Sequence, residues 1–244
     1  MTRKERAFWK SWQPITRTSL CFILRGEEIL LIRKKRGIGA GKVNGPGGHL
    51  EPGESAMEAA IREVQEEVKV TPCGLKKMGE LSFQFVDKNS SPQHCVVFIA
   101  QGFLGEPEET EEAIPFWSHH TQIPFDEMWA DDRDWIPGML VEASKNLYSD
   151  FTETANNSLA PEVASRQFQL SVEAACTSEA ENPLKLKLLP STDAKQLAPS
   201  APYPSSVLSD LNVGSKKPER QFAGYYFFDQ DELLSGHLEW SEKR

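Results

Sequence analysis

Residues 48–70 read GHLEPGESAMEAAIREVQEEVKV, and this stretch admits few local structures. Pro52-Gly53 sets a turn. Ser55 followed by Glu58 three residues later is a capping-box pattern, so a helix should open at Ala56. From Ala56 to Val68, at about 100° per residue, Met57, Ala60, Ile61, Val64 and Val68 fall in one arc of roughly 100° that is expected to face the core. Glu63, Glu66 and Glu67 share a second arc, because positions i, i+3 and i+4 are neighbours on a helix. Like charges so placed repel by roughly 0.2–0.5 kcal/mol per pair. A divalent cation removes that repulsion, and an all-oxygen ligand set suits Mg²⁺, with Mn²⁺ as a substitute. Taken alone, the string EVQEE reads as an ordinary solvated helix face.

The whole chain sets the frame for that helix. Its 244 residues suffice for one large domain or two small ones, and with 39% apolar residues a packed core is feasible. A formal net charge of −9 argues against a general nucleic-acid-binding surface. It does not argue against a nucleotide, whose phosphates need only metal ions and a few local Lys and Arg. Cys21, Cys73, Cys95 and Cys176 show no metal-ligand spacing, and Cys21 and Cys95 lie in apolar runs as expected buried thiols. A reducing, cytoplasmic setting is the expectation. No apolar stretch reaches the length of a membrane span, and the start has no secretory signal. The basic opening from Met1 to Lys10 hints at organelle targeting, but Glu5 and the lack of serine there weigh against it.

Residues 1–17 are expected as a tail and residues 18–149 as the first part of the domain. Ser19–Arg25 and Glu28–Lys34 read as a hairpin. The stretch from Lys34 to Gly48 carries six glycines and one proline, a loop whose backbone can approach a ligand closely. Leu75–Val86, Val96–Phe103 and Ile114–Ser118 read as strands, Ile123–Asp134 as a loop with a helical turn, and Trp135–Tyr148 as a helix. From Asp150 to Lys217 the composition shifts to Ser, Ala, Pro, Asn and Thr, an insertion expected to be disordered. Within it Leu184, Leu186 and Leu188 alternate with lysines, which leaves room for a short docking piece. Phe222–Phe228 resumes a strong strand signal, so residues 218–244 should return to the main sheet.

The residues Gly48, Glu54, Arg62, Glu63, Glu66 and Glu67 follow the spacing glycine, five residues, glutamate, seven residues, Arg-Glu-apolar-any-Glu-Glu. Six fixed positions, each requiring a residue used at roughly one position in fifteen, should coincide by chance about once in ten million positions. The pattern resembles the Nudix box. The resemblance implies an α+β fold, the Nudix α/β/α sandwich with a mixed central sheet, in which Arg62 and Glu54 brace the loop against the helix. Lys69 departs from the family, which usually has glycine there. If that position is left-handed, a side chain costs roughly 1–2 kcal/mol.

Three further segments narrow the resemblance. KKRGIGAGKVNGPGGHLEPGE (34–54), TQIPFDEMWADDRDWIP (121–137) and QFAGYYFFDQDELLSGHLEW (221–240) look like the corresponding stretches of the MutT-like oxidised purine nucleoside triphosphatases, the 8-oxo-dGTP diphosphatase group. The likeness covers about residues 18–147 and 221–240. It implies that Glu63, Glu66 and Glu67 bind the metal with the backbone at Gly47 and Gly48, and that Glu112 adds a ligand from a distant loop. Lys34, Ser19, Pro46, Gly47 and Gly48 would lie at the nucleotide, while Asn44, Trp129, Asp131 and Asp132 would read the purine. Asp131-Asp132 reads equally as a helix N-cap. Ile38 and Val43 stand where animal members of the group have Phe and Trp. The implied activity is metal-dependent hydrolysis of an oxidised purine nucleoside triphosphate to monophosphate and pyrophosphate, the proton acceptor being a box glutamate or Glu112. The expected partner is a small-molecule nucleotide, without nucleic acid or membrane, on a monomer. Another nucleoside diphosphate-linked substrate, or a noncatalytic nucleotide-binding module, stays open at this point.

Overall fold

The computed structural model describes residues 1–87, 90–155 and 219–242, with 146–155 described in backbone course alone. The two apolar runs near the start become β1 (Thr16–Arg25) and β2 (Glu28–Lys34), an antiparallel pair. The glycine loop carries two short strands, β3 (Val43–Asn44) on β2 and β4 (Gly47–His49) on β1. Helix α2 (Ala56–Val68) follows an N-terminal helix α1 (Arg3–Ser11) in chain order. Then come β5 (Thr71–Phe85), β6 (Gln93–Leu104), β7 (Ala113–His119), α3 (Asp132–Ala155), β8 (Arg220–Asp229) and β9 (Glu232–Glu242).

The main sheet runs β3-β2-β1-β6-β5-β8-β9, with β4 on β1 and β7 on β2. It is mixed: β1 with β6 and β5 with β8 are parallel, and the other pairs are antiparallel. β8 and β9 return to the sheet beside β5, across the segment from which they are separated in sequence. Side chains alternate across each strand, and β1 shows the result. Phe22 faces a cluster with Trp135, Ile136 and Met139 of α3, whereas Cys21 and Ile23 face Ala60, Val64 and Val68 of α2. Two apolar layers therefore sandwich the sheet between α2 and α3. Both clusters are needed for a sheet whose central strands are covered on each side. Among the described residues no helix is long and apolar enough to cross a membrane.

Residues 3–11, expected as tail, form a helix closed by a reciprocal Thr2–Glu5 capping box. Phe8 and Trp9 of α1 pack on Tyr225 and Phe227, the outward face of β8, with ring centroids 5.0–5.4 Å apart. Trp12 Nε1 donates to Gln84 Oε1 on β5 (3.0 Å). The expected insertion from Asp150 to Lys217, with its Leu184–Leu188 alternation, lies outside the described residues except for its first six, which continue α3.

Helix α2 spans the residues its capping signals specify. Ser55 Oγ accepts from the Glu58 N–H (3.3 Å) and Glu58 Oε2 accepts from the Ser55 N–H (2.8 Å). Its buried face, however, is rotated from the expected arc. Ala59, Ala60, Val64, Glu67 and Val68 are buried, while Met57 is 40% exposed. The arc was drawn from apolar type alone; the real face is centred between Ala60 and Glu67, because a carboxylate with fixed hydrogen-bond donors can be buried. At the other end Lys69 adopts φ +64°, ψ +16°, left-handed, and its N–H donates to the Gln65 carbonyl. Replacing it with glycine should remove the Cβ strain. After the extra entropy of an unfolded glycine is subtracted, Lys69→Gly should stabilise by about 1 kcal/mol, raising Tm by about 2–4 °C in a thermal melt.

Candidate active site

The acidic face of α2 is seated against β4 and the start of the glycine loop. Arg62 organises it. Its Nε and Nη2 donate to Glu54 Oε1 (2.9 Å) and Oε2 (3.0 Å), and Nη2 also reaches the His49 carbonyl (2.8 Å). Its Nη1 donates to both Glu63 Oε1 and Glu66 Oε2, each at 3.0 Å. One planar guanidinium thus ties the turn, β4 and two box glutamates together, geometry that a lysine cannot reproduce. The Glu54 carboxyl is held below its ordinary range, first by the hydrogen bond from Arg62. The Arg62 guanidinium is shifted up, chiefly by Glu54.

Glu67 has a different setting. Its side chain is 1% exposed; Oε1 meets Lys34 Nζ at 3.0 Å and Oε2 accepts from the Gly47 N–H at 2.9 Å. Burial pushes the Glu67 carboxyl up, and Lys34 and the Gly47 N–H oppose the shift. Glu63 is likewise pushed up by burial, with Arg62 opposing. A Cβ on Gly48 would lie 2.4 Å from the Glu63 carboxylate, so only glycine leaves that acid its place. Glu66, at 53% exposure, faces out. It lines a cavity of about 540 Å³ together with Lys35, Lys69, Glu109, Thr110, Glu111 and Glu112. The three box carboxylates do not meet within 4.8 Å of one another; Arg62 and Lys34 hold them apart as counter-charges. The donor set is all oxygen, partly desolvated and in excess of its cations, which fits a hard divalent ion.

Some 60 residues further on, a second constellation forms on the α3 side of the sheet. Asp131 and Asp132 are 2% and 3% exposed. Asp131 Oδ2 accepts from Trp135 Nε1 (3.1 Å), and Asp132 Oδ2 accepts from the Trp129 N–H (3.1 Å). Neither carboxylate caps a backbone N–H ahead of it in α3, so the N-cap reading fails. Burial pushes Asp131 up to about 7, and burial together with Asp131 raises Asp132 well above the usual carboxylate range. Trp135 is fully buried and stacks on Phe222 at 5.4 Å, so it positions Asp131. Trp129 is half-buried, and Lys42 Nζ stands 4.8 Å from the centre of its ring. The glycine loop connects both constellations: Lys34 at its start holds Glu67, and Gly39 lies against the Trp129 indole.

The other expected site residues fall as follows. Asn44 accepts from the Gly45 N–H (2.8 Å), and the Pro46 carbonyl accepts from the Cys21 N–H (2.9 Å). Glu112 pairs with Arg36 and lines the cavity that Glu66 faces. Ser19 is not brought to the Asp pair. It is opposite Gly48 in the β1–β4 register and shares the α2 face with Cys21 and Ile23, and its buried Oγ has no hydrogen-bond partner among the described residues. Lys42, Arg36 and Trp135 act at these places without having been singled out as site residues. The basic residues of the glycine loop were the available signal for the first two.

The family described as NUDIX domain matches residues 14–139. An oxidized purine nucleoside triphosphate hydrolase of Danio rerio is 41% identical over 122 residues, 50% of this chain and 78% of the relative. Its namesake in Mus musculus is 40% identical over 124 residues, with the same coverage of 50% and 78%. The crystal structure of a MutT protein from Bacillus halodurans shares the fold, with a TM-score of 0.51, 18% identity, and coverage of 92% of this chain and 98% of that one. The fold and the box define a pyrophosphohydrolase acting on acid anhydrides. The chain belongs to the Nudix hydrolase family, whose members use divalent metal ions.

Two outcomes test this site. In Gly48→Ala the new methyl should displace the Glu63 carboxylate. The variant should stay folded by circular dichroism yet bind Mn²⁺ at least roughly tenfold more weakly by electron paramagnetic resonance, the scale on which misplaced ligands cost affinity. For the Asp pair, a raised folded-state pKa means that the native protein binds more protons than the unfolded chain between about pH 4 and 7. Stability therefore falls as pH rises through that window. Urea melts of wild type and Asp131→Asn at pH 5 and pH 7.5 should show wild type losing stability relative to the variant at the higher pH; a parallel response would show that Asp131 does not titrate there.

Proposed function

We propose that this Nudix hydrolase cleaves oxidised purine nucleoside triphosphates, of the 8-oxo-dGTP and 2-hydroxy-dATP type, to the monophosphate and pyrophosphate, and so clears damaged purines from the nucleotide pool. The observation that carries the reading is the buried Asp131-Asp132 pair beside Trp129. A carboxyl raised toward neutrality can donate a hydrogen bond as well as accept one, which lets it match the altered edge of an oxidised purine. Trp129 offers an indole face for stacking, worth about 1–3 kcal/mol per base. The names of the zebrafish and mouse relatives support the same substrate class.

The phosphates belong at α2. Glu63, Glu66 and Glu67, with Glu112 across the cavity, would hold the divalent ion, Mg²⁺ in this reading, which when bound supplies charge neutralisation on phosphate oxygens and a more acidic attacking water. Arg62 keeps Glu54, Glu63 and Glu66 aimed. Lys34, now on Glu67, offers its ammonium to the polyphosphate. Glu67, whose basicity burial increases, is suited to accept a proton at Oε1 or Oε2.

The test is pyrophosphate release from 8-oxo-dGTP against dGTP, with and without Mg²⁺: the reading requires strong preference for the oxidised nucleotide and dependence on the ion. Glu67→Gln should fold and lose about 10²-fold or more in kcat. Asp131→Asn should keep turnover of dGTP but lose roughly tenfold or more of the preference for 8-oxo-dGTP, the cost of one buried hydrogen bond. Unchanged preference in that variant rejects its role in reading the base.

A further inference from the structure

At the end of the sheet remote from the box, Glu27, His119 and His120 each present a ligand atom within 4.8 Å of the other two. The turn between β1 and β2 carries Glu27, and β7 ends at His119 beside it, in register with Glu28. The backbone fixes this meeting, because the His120 N–H donates to the Glu27 carbonyl at 2.9 Å. Consecutive residues on a strand point to opposite faces. Here the chain leaves β7 for a 3-10 turn, His120–Gln122, and the two imidazoles stack with centroids 4.4 Å apart and planes 28° apart. His119 Nε2 lies 3.2 Å from Glu27 Oε2. Its other nitrogen, Nδ1, is held by Thr121, lying 2.7 Å from Oγ1 and accepting from the backbone N–H at 3.3 Å, so the ring is oriented with Nε2 toward Glu27. Arg25, the cation nearest in the register, is taken up by Glu28 at 2.8 Å and by the Trp117 ring, so it does not claim Glu27.

We propose that Glu27, His119 and His120 form a second metal site, for a transition dication of the Zn²⁺ type, that pins the β1–β2 turn to the end of β7. Two imidazoles and one carboxylate suit Zn²⁺, Ni²⁺ or Cu²⁺ and are a poor match for Mg²⁺. Three protein ligands leave a fourth position for water. β2 runs from Glu28 to Lys34, which touches Glu67, so about 20 Å of strand separates this site from the box. It is therefore independent of the substrate assigned above.

The experiment is calorimetric titration of Zn²⁺ into the full chain in excess Mg²⁺. Wild type should bind one equivalent more than His119→Ala or His120→Ala, and Glu67→Gln should bind as wild type does. Thr121→Val should weaken binding roughly tenfold. Zn²⁺ should also raise the Tm of wild type and not that of His119→Ala. Equal stoichiometry in wild type and both histidine variants, no binding at all, or loss of the extra equivalent in Glu67→Gln would overturn the proposal.

Discussion

The site depends on how one helix buries acid. Glu67 sits near the centre of the face by which α2 contacts the sheet, beside Ala60 in projection, and it is tolerated there because Lys34 and the Gly47 N–H satisfy both oxygens. Removing water from a carboxylate without such partners costs several kcal/mol. The loop that supplies Gly47 is in turn held by Arg62, through Glu54 and the His49 carbonyl. The same contacts therefore dock the helix, shape the loop and fix the direction of the acids.

That coupling explains why the glycine loop, rather than a rigid element, joins the two halves of the site. Its two ends deliver Lys34 and Gly47 to α2, and its middle delivers Gly39 and Lys42 to Trp129. A nucleotide spans phosphate and base, and this loop borders both constellations. The electrostatics are opposite in kind at the two ends: an excess of partly buried carboxylates at α2, and at Trp129 a pair whose charge burial suppresses. One end presents ionised acceptors, and the other carboxyls biased toward their neutral form.

Much of this was legible in the residues. The Ser55–Glu58 box and the glutamate spacing place α2 to the residue, since capping and periodicity are local properties. The hairpin β1–β2 and the return of β8 follow from runs too apolar to stay in water. What failed were questions of face. Met57, expected in the core, is exposed and Glu67 is buried, because residue type alone does not show that Lys34 supplies a counter-charge. Ser19, expected at the nucleotide, lies opposite Gly48, and strand alternation turns its hydroxyl toward α2. Helix α1 is masked in the sequence by its basic residues. Its Thr2–Glu5 cap and the Phe8–Trp9–Trp12 aromatics carried the signal. Lys42 meets Trp129, 87 positions away in sequence, and Asp132 only through the fold.

The central claim is that the carboxylates which seat α2 are those that hold the divalent ion. Crystals of the protein grown with Mn²⁺, with data collected for anomalous scattering, test it most directly. The account requires an anomalous peak in coordinating contact with Glu63 or Glu67, with Lys34 displaced from its present partner. A well-ordered box with Lys34 still on Glu67, and manganese only elsewhere on the molecule, would contradict it.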